Sequence, residues 1–459
     1  MANAIRPAPG SRSPPSGEQI LAIRSHSREC ERAFTKRIRQ NNARIPMNRR
    51  NFLRTSSAGL ALTATRGPAT SQGANDRIQV GIIGPGVRGM QLTKQCIEYG
   101  SKYNARVGAV CDTWTKHLEA AAKLVGESYG AKPKSYGHFE DMLADQELDA
   151  VMIATPDHTH AKMMKAALEA GKDVYVEKPM GNVLSEVNEA FETAERSDRV
   201  IQVGTQRRSF PRYRSAADIV SEGRIGEIVK ADVVWNMYSP YRWAKSQEDL
   251  DSVKESDINW EAFLMGKPYR PFDPKIYRSF RLFRDFSSAI IDQWMSHGID
   301  VVHMLTGELY PASLVAHGGL YRYHDYRENP DTVQVALEYG HGNRKFPASF
   351  SVCLSTKGGR ATHVLGTLGM LEVEDTWRVS GDGSEHPDAL ADEQEVPEKP
   401  SEHHMANWLD AIRRRARDAV YAPVEAGYGH SIAGIMAADS LWSGTRKVFN
   451  PGTREITDG

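Results

Sequence analysis

Six residues, Gly84-Pro85-Gly86-Val87-Arg88-Gly89, stand between an apolar run, Arg77 to Ile83, and a stretch of helical character from Met90 to about Tyr99. A second apolar run, Ala105 to Cys111, ends at Asp112, 23 residues beyond Gly89. Strand, G-x-G-x-x-G, helix, strand, acid is an order that holds a dinucleotide. Gly84 permits the tight turn, Gly86 lets the backbone approach a pyrophosphate, and Gly89 lets the helix pack close on the strand. The free N–H groups of the helix start favour phosphate. Gly84, Gly86, Val87, Arg88, Gly89 and Asp112 are therefore the expected cofactor contacts. Asp112 can accept from both hydroxyls of an adenosine ribose and would repel a 2′-phosphate, which favours NAD over NADP.

The elements that must position this loop continue the alternation. Helices are predicted at 118–125, 139–143, 158–170 and 183–194, and strands at 149–155, 173–176 and 200–203. Such βαβ alternation implies a parallel sheet with helices on both faces, here a Rossmann domain over 75–205. Ligands bind at the carboxyl ends of such strands. Besides the glycine loop, Thr155-Pro156-Asp157-His158-Thr159-His160 and Glu177-Lys178-Pro179 fall there.

Downstream, β-like segments at 229–237, 313–317, 332–339, 348–354, 361–366 and 370–373 group together, with a helix predicted at 294–305, which indicates an α+β unit over 206–430. Two helical runs, 403–415 and about 429–444, come next, and 431–459 is expected to form a C-terminal helix and tail. The stretch 238–285 reads as an insertion rich in Arg and aromatic residues, among them Trp243, Trp260, Tyr277, Phe280 and Phe283. It suits either a sugar-stacking lid or a packed surface loop.

The whole chain has 459 residues and zero formal net charge, which gives no support to nucleic-acid binding. No stretch reaches the ~18–20 apolar residues of a membrane span. The charge is uneven, because residues 1–54 hold twelve Lys/Arg against three Asp/Glu. Residues 1–46 read as disordered or spurious upstream sequence. At Met47 the text becomes Met-Asn-Arg49-Arg50-Asn-Phe52-Leu53-Arg, with a small-residue run beyond it to Ala64, so 47–74 reads as a twin-arginine export signal and linker. The expected address is periplasmic. Of the four cysteines, Cys30 lies in the leader, while Cys96, Cys111 and Cys353 read as buried free thiols. No metal-ligand spacing stands out.

Ala154-Thr-Pro-Asp-His-Thr-His160, with Ala170-Gly-Lys-Asp-Val-Tyr-Val-Glu-Lys-Pro179, resembles the glucose–fructose oxidoreductase/inositol dehydrogenase/MocA family over roughly 77–450. The resemblance implies an α/β protein. Its N-terminal Rossmann dinucleotide-binding domain would be joined to a C-terminal α+β domain with a large open antiparallel sheet. It also implies a sugar or cyclitol substrate and late segments that pack back on the Rossmann domain.

Hydride chemistry at a carbinol carbon needs a proton acceptor and a group that orients the oxygen. Lys178, stiffened by Pro179 and placed at a strand end, is the expected orienting cation. His297 is the expected general base. Thr155, Pro156, His158, His160, Glu177 and Lys178 complete the expected cofactor contacts, Glu177 by pairing with Lys178 or a ribose. Family members place an Asp four residues before the His. Here that position is Gln293, and Asp292 lies five before. On an α-helix the two offsets differ by about 100°. Asp292 and Gln293 are both expected near the substrate, with Asp292 facing His297 only if the helix starts after it. Asp300 either orients His297 or pairs structurally.

The expected function is NAD(P)-dependent hydride transfer to or from a sugar, sugar derivative or cyclitol, with a tightly held cofactor and a homodimer or homotetramer. The alternatives are a redox-neutral NAD-dependent glycosidase of the same fold and a non-catalytic NAD-dependent sugar-binding protein. The expected partners are the small-molecule substrate and the twin-arginine export machinery.

Overall fold

The computed structural model describes residues 76–342, 344–381 and 385–459. The basic leader, the export signal expected at 47–74 and Cys30 lie outside them. All the described residues but 264–269 form one compact unit.

The first sheet has strands β1 (Ile78–Ile83), β2 (Ala105–Cys111), β3 (Lys134–Tyr136), β4 (Ala150–Ile153), β5 (Asp173–Val176) and β6 (Ile201–Val203). Their order is β3-β2-β1-β4-β5-β6, and every pair is parallel. β4 and β5 are buried at all positions, because crossover helices such as Val87–Gly100 and His160–Glu169 cover both faces. The strand order reverses between β1 and β4, so a crevice opens where these two strands end. β3 is the strand that sequence pattern missed; its three residues carry no apolar run.

The second sheet holds ten strands: β7 (Ile228–Asn236), β8 (Ser313–Gly319), β9 (Thr332–His341), β10 (Arg344–Cys353), β11 (Gly359–Gly366), β12 (Met370–Glu374), β13 (Arg378–Ser380), β14 (Gln394–Glu395), β15 (Lys447–Asn450) and β16 (Glu455–Asp458). It is antiparallel except for the pair β7 and β10. Burial alternates along β9 and β10, so one face is covered. Helix Pro211–Ser221, absent from the sequence expectation, and helix Ser296–Thr306 cover it. Ala216, Ile219, Val301 and Leu305 share a core with Val364, Leu371 and Val373. A Cβ on Gly298 would stand 2.7 Å from Val233 Cγ1, so glycine lets this helix lie directly on β7.

Two expectations about the C-terminal part change. The boundary at 431 falls inside helix Val424–Ser443, and β15 and β16 beyond it join the second sheet beside β8. Helix His404–Arg414 returns to the Rossmann domain, where Met405, Trp408, Leu409 and Ile412 share a core with Val80, Ile82, Leu92 and Tyr175.

The aromatic insertion packs against the Rossmann domain. Trp260, Phe263, Tyr277, Phe280 and Phe283 are buried. Tyr277 sits 5.7 Å edge-on to Trp114, and its hydroxyl is 3.4 Å from Thr113 Oγ1. Most rings that a stacking lid would present are thus used in packing. Among the cysteines, Cys96 and Cys111 are buried as expected, while Cys353 is only half-buried.

Candidate active site

β1 ends in Ile83 and the chain turns at Gly84, whose φ of +80° lies in the left-handed region that favours glycine. A Cβ on Gly89 would meet Gly84 O at 2.2 Å, which would force the turn and helix apart. Beside Gly86 the nearest atom to a Cβ would be His117 Cε1 at 3.6 Å, so the loop is open on that side. Helix Val87–Gly100 starts with Gly86 as its cap and no side-chain hydrogen bond to its first turn. Those N–H groups are free to meet a phosphate. Asp112 lies just past β2 and keeps one oxygen on Trp114 N at 2.8 Å; the other lies 3.4 Å from His117 Nδ1. An open glycine turn, an uncapped helix start and an acid after the second strand fit NAD. Gly84, Gly86, Val87 and Gly89 would hold its phosphates through backbone, and Asp112 the ribose. Val87 is the exposed residue of this turn.

The carboxyl ends of β4 and β5 supply the next wall. A cavity of about 220 Å³ is lined by Thr155, Asp157, His160, Glu177, Lys178 and Arg88 on this side, and by Gln206, Arg281, Gln293 and His297 opposite. Glu177 does not pair with Lys178, as was expected. Its Oε1 accepts from Arg88 Nε at 2.6 Å, and the Tyr175 hydroxyl is 3.5 Å away. Against the effect of burial, the pair raises the Arg88 guanidinium above its already high range. Glu177 therefore ties the glycine-loop helix to β5.

Lys178, in a cis peptide with Pro179, points across the cavity. Its Nζ donates to Gln293 O at 2.9 Å and to Gln293 Oε1 at 3.1 Å. Burial pushes its pKa down to about 8, with Asp157 and Glu177 opposing. A neutral amine has two N–H donors, which those two acceptors use, leaving its lone pair for the cavity.

Gln293 is placed by an irregular turn. Ile291–Met295 is π-helical and runs without a break into helix Ser296–Thr306. A π-turn takes an extra residue and shifts the phase of the helix beyond it. Gln293 and His297 both line the cavity, whereas Asp292 does not. Asp292 turns back to accept from Ser288 N at 2.7 Å and Asn182 Nδ2 at 3.4 Å. Burial and the neighbouring Asp157 hold it well above the usual carboxylate range. The expected substrate contact by Asp292 is thus corrected: the helix already includes it. The acid at the cavity is Asp157, whose Oδ2 accepts from Gln293 Nε2 and Ser287 Oγ, each at 2.6 Å.

His297 has a buried Nδ1 without a hydrogen bond. Its ring centre is 6.2 Å from that of Trp235. Burial, then Lys178, holds its pKa well below 6.5, so the ring is neutral. Asp300 does not orient it; Asp300 is held by Thr205 Oγ1 and by Arg208 at 2.8 Å.

Two histidine expectations also change. His158 is buried, 2.9 Å from Phe263 O and edge-on to Phe286, a packing role away from the cavity lining. His160 does reach the cavity, with its ring nitrogens 2.7 Å from Pro179 O and 2.8 Å from Thr155 O, and so fixes two loops. Thr155 lines the cavity, while Pro156 caps the turn Asp157–Thr159 behind it. Gln206 and Asp157, both just beyond strand ends, could have been found by the strand-end rule. Arg281 could not, because nothing in the pattern of the insertion singles it out.

Fold and glycine turn define a dinucleotide-binding protein of the Rossmann class joined to a large sheet. Residues 78–205 match the oxidoreductase family with an NAD-binding Rossmann fold, GFO_IDH_MocA, and this domain belongs to that family. A Glycosyl hydrolase family 109 protein of Shewanella amazonensis is 28% identical over 225 residues, 44% of this chain and 48% of that protein. Inositol 2-dehydrogenase 1 of Saccharopolyspora erythraea is 33% identical over 156 residues, 33% of this chain and 44% of that protein. The chain thus spans about half the length of the curated relatives it matches. The WlbA dehydrogenase of Bordetella pertussis, solved with NADH and UDP-GlcNAcA, shares the fold at 20% identity. Its TM-score is 0.59, over 82% of this chain and 99% of that one.

Proposed function

We propose that the chain is an NAD-dependent oxidoreductase acting on a CH–OH carbon of a sugar, sugar derivative or cyclitol. Bound NAD supplies a hydride acceptor when oxidised and a hydride donor when reduced. Lys178 holds or gives the proton at the substrate oxygen, because its pKa of about 8 lies near the working range of a general base. Gln293 keeps the amine aimed through its two acceptors. His297, kept neutral by burial, positions the hydroxyl by hydrogen bonding and not by taking the proton first. Asp157 offsets the Lys178 charge and holds Gln293. The observation that carries this reading is Lys178 Nζ facing the cavity at the end of β5, beside the glycine turn.

NAD over NADP follows from Asp112, whose carboxylate would repel a 2′-phosphate. Calorimetric titration of the purified chain with NAD and NADP tests this; tighter NADP binding would reverse the assignment. A panel of sugars, cyclitols and uronates with NAD, monitored by NADH absorbance, tests the activity. Failure of every compound to yield NADH, with NAD bound, would contradict net oxidation. The stretch similar to a Glycosyl hydrolase family 109 protein favours a second reading, redox-neutral glycoside cleavage. Release of the aglycone from a nitrophenyl glycoside without net NADH would select it.

Export by the twin-arginine route is the proposed address, supported by Arg49-Arg50-Asn51-Phe52-Leu53. Retention of the double variant Arg49→Lys, Arg50→Lys in the cytoplasm is the expected result. Unchanged export would contradict it. An open sheet face also supports a homodimer or homotetramer, which sedimentation would test.

A further inference from the structure

The cavity is lined by three cations, Arg88, Lys178 and Arg281, against two carboxylates, Asp157 and Glu177. Arg88 is taken by Glu177 at 2.6 Å. Asp157 lies on the Lys178 and Gln293 side, where both of its closest hydrogen bonds come from Gln293 and Ser287. Arg281 remains. Among the described residues its guanidinium has no ion-pair partner, and its Nε is buried without a hydrogen bond. Its guanidinium carbon lies 4.4 Å from the Phe280 ring centre, a contact that holds the fork against the ring and leaves its other N–H groups for another partner. A buried cation without a counter-charge is unfavourable unless something negative completes it.

We infer that Arg281 receives the carboxylate of an acidic sugar, so that the substrate class is a uronate or a similar sugar acid. This rests on the proposed oxidoreductase reading and narrows it. A guanidinium fork matches a carboxylate with two parallel hydrogen bonds. A phosphate dianion carries more charge than the single cation left over in this cavity. Arg281 comes from the insertion 238–285, opposite the Lys178 amine, so a bound sugar acid spans from its reacting hydroxyl at Lys178 to its carboxylate at Arg281. Arg242 adds positive potential nearby, with its guanidinium 5.4 Å from the Trp243 ring centre and 5.8 Å from that of Trp294.

Calorimetric titration of the NAD-loaded full chain with D-glucuronate against D-glucose, and D-galacturonate against D-galactose, tests the inference. The acid of at least one pair should bind at least about tenfold tighter than its neutral parent, the scale of a charged hydrogen bond. Arg281→Gln should remove that preference and leave NAD affinity unchanged. Arg281→Lys should keep part of it, and thermal melting of both variants reports whether they fold. Equal or weaker binding of both acids would overturn the inference. So would loss of NAD binding in a folded Arg281→Gln, which would give Arg281 to the cofactor. Glucose 6-phosphate binding more tightly than either uronate would overturn the choice of a carboxylate. If the wild-type chain bound no NAD, the oxidoreductase reading would fail, while the uronate preference would still be read on the apo chain.

Discussion

On the Rossmann wall of the cavity the charges are closed: Arg88 is paired with Glu177, and both ring nitrogens of His160 face backbone carbonyls. On the wall contributed by 281–297 they are open. Lys178 reaches only a neutral glutamine, His297 keeps a buried Nδ1 without a partner, and Arg281 has no ion pair among the described residues. The first arrangement suits a cofactor that stays. The backbone does the binding, and paired side chains keep the loop in shape. The second suits a molecule that arrives, reacts and leaves, because its own polar groups complete the site. A closed ion pair on the substrate wall would compete with substrate at each turnover.

Four substitutions would break or sharpen this contrast. Gly89→Val should have the largest effect. Its side chain would collide with Gly84 O, and calorimetry should detect no NAD binding. Retained NAD affinity would show that the turn does not hold the cofactor. Arg88→Gln comes next. It leaves Glu177 buried without its cation, so denaturant unfolding should show a loss of about 1–3 kcal/mol, moderated because Arg88 is partly exposed. A neutral outcome would mean that the Rossmann wall is not set by this pair. Gln293→Leu should act on the open wall. The Lys178 amine loses an acceptor that favours its charged form, so the pKa seen in the pH profile should fall by up to about one unit. An upward shift would contradict the assigned partner. Asp292→Asn should do least. Its carboxyl faces Ser288 and Asn182 behind the cavity, so KM should be unchanged and the profile nearly so. A large rise in KM would return Asp292 to the substrate.

The same division explains how much of the site was legible in the sequence. Gly84, Gly89 and Asp112 obey local rules of backbone and turn, and the structure places them as those rules require. Lys178 could be read from a strand end and a proline. The phase of Asp292 and Gln293 could not, because an α-helical wheel does not anticipate a π-turn at Ile291–Met295. Glu177 was given the wrong partner because Arg88, 89 positions away in the chain, reaches it only through the sheet. Arg281 lies in an insertion without periodicity, and its place depends on aromatic packing against Trp114 and His158. β14 to β16 were missed because they are short and largely polar, and pairing with neighbouring strands makes them strands.

The central claim is that a desolvated Lys178 exchanges the proton at the reacting oxygen. It is tested most directly by the pH dependence of substrate oxidation, measured as NADH formation in wild type and Lys178→Ala with the best substrate from the panel. The folded pKa is lowered to about 8, so the neutral amine that accepts a proton accumulates as pH rises through that value. Wild-type kcat/KM should therefore climb through about pH 8 and level off above it. Lys178→Ala should lose about 10²–10⁴-fold in kcat together with that limb, while NAD affinity is kept. A Lys178→Ala enzyme that keeps both its rate and the rise through pH 8 would contradict the account.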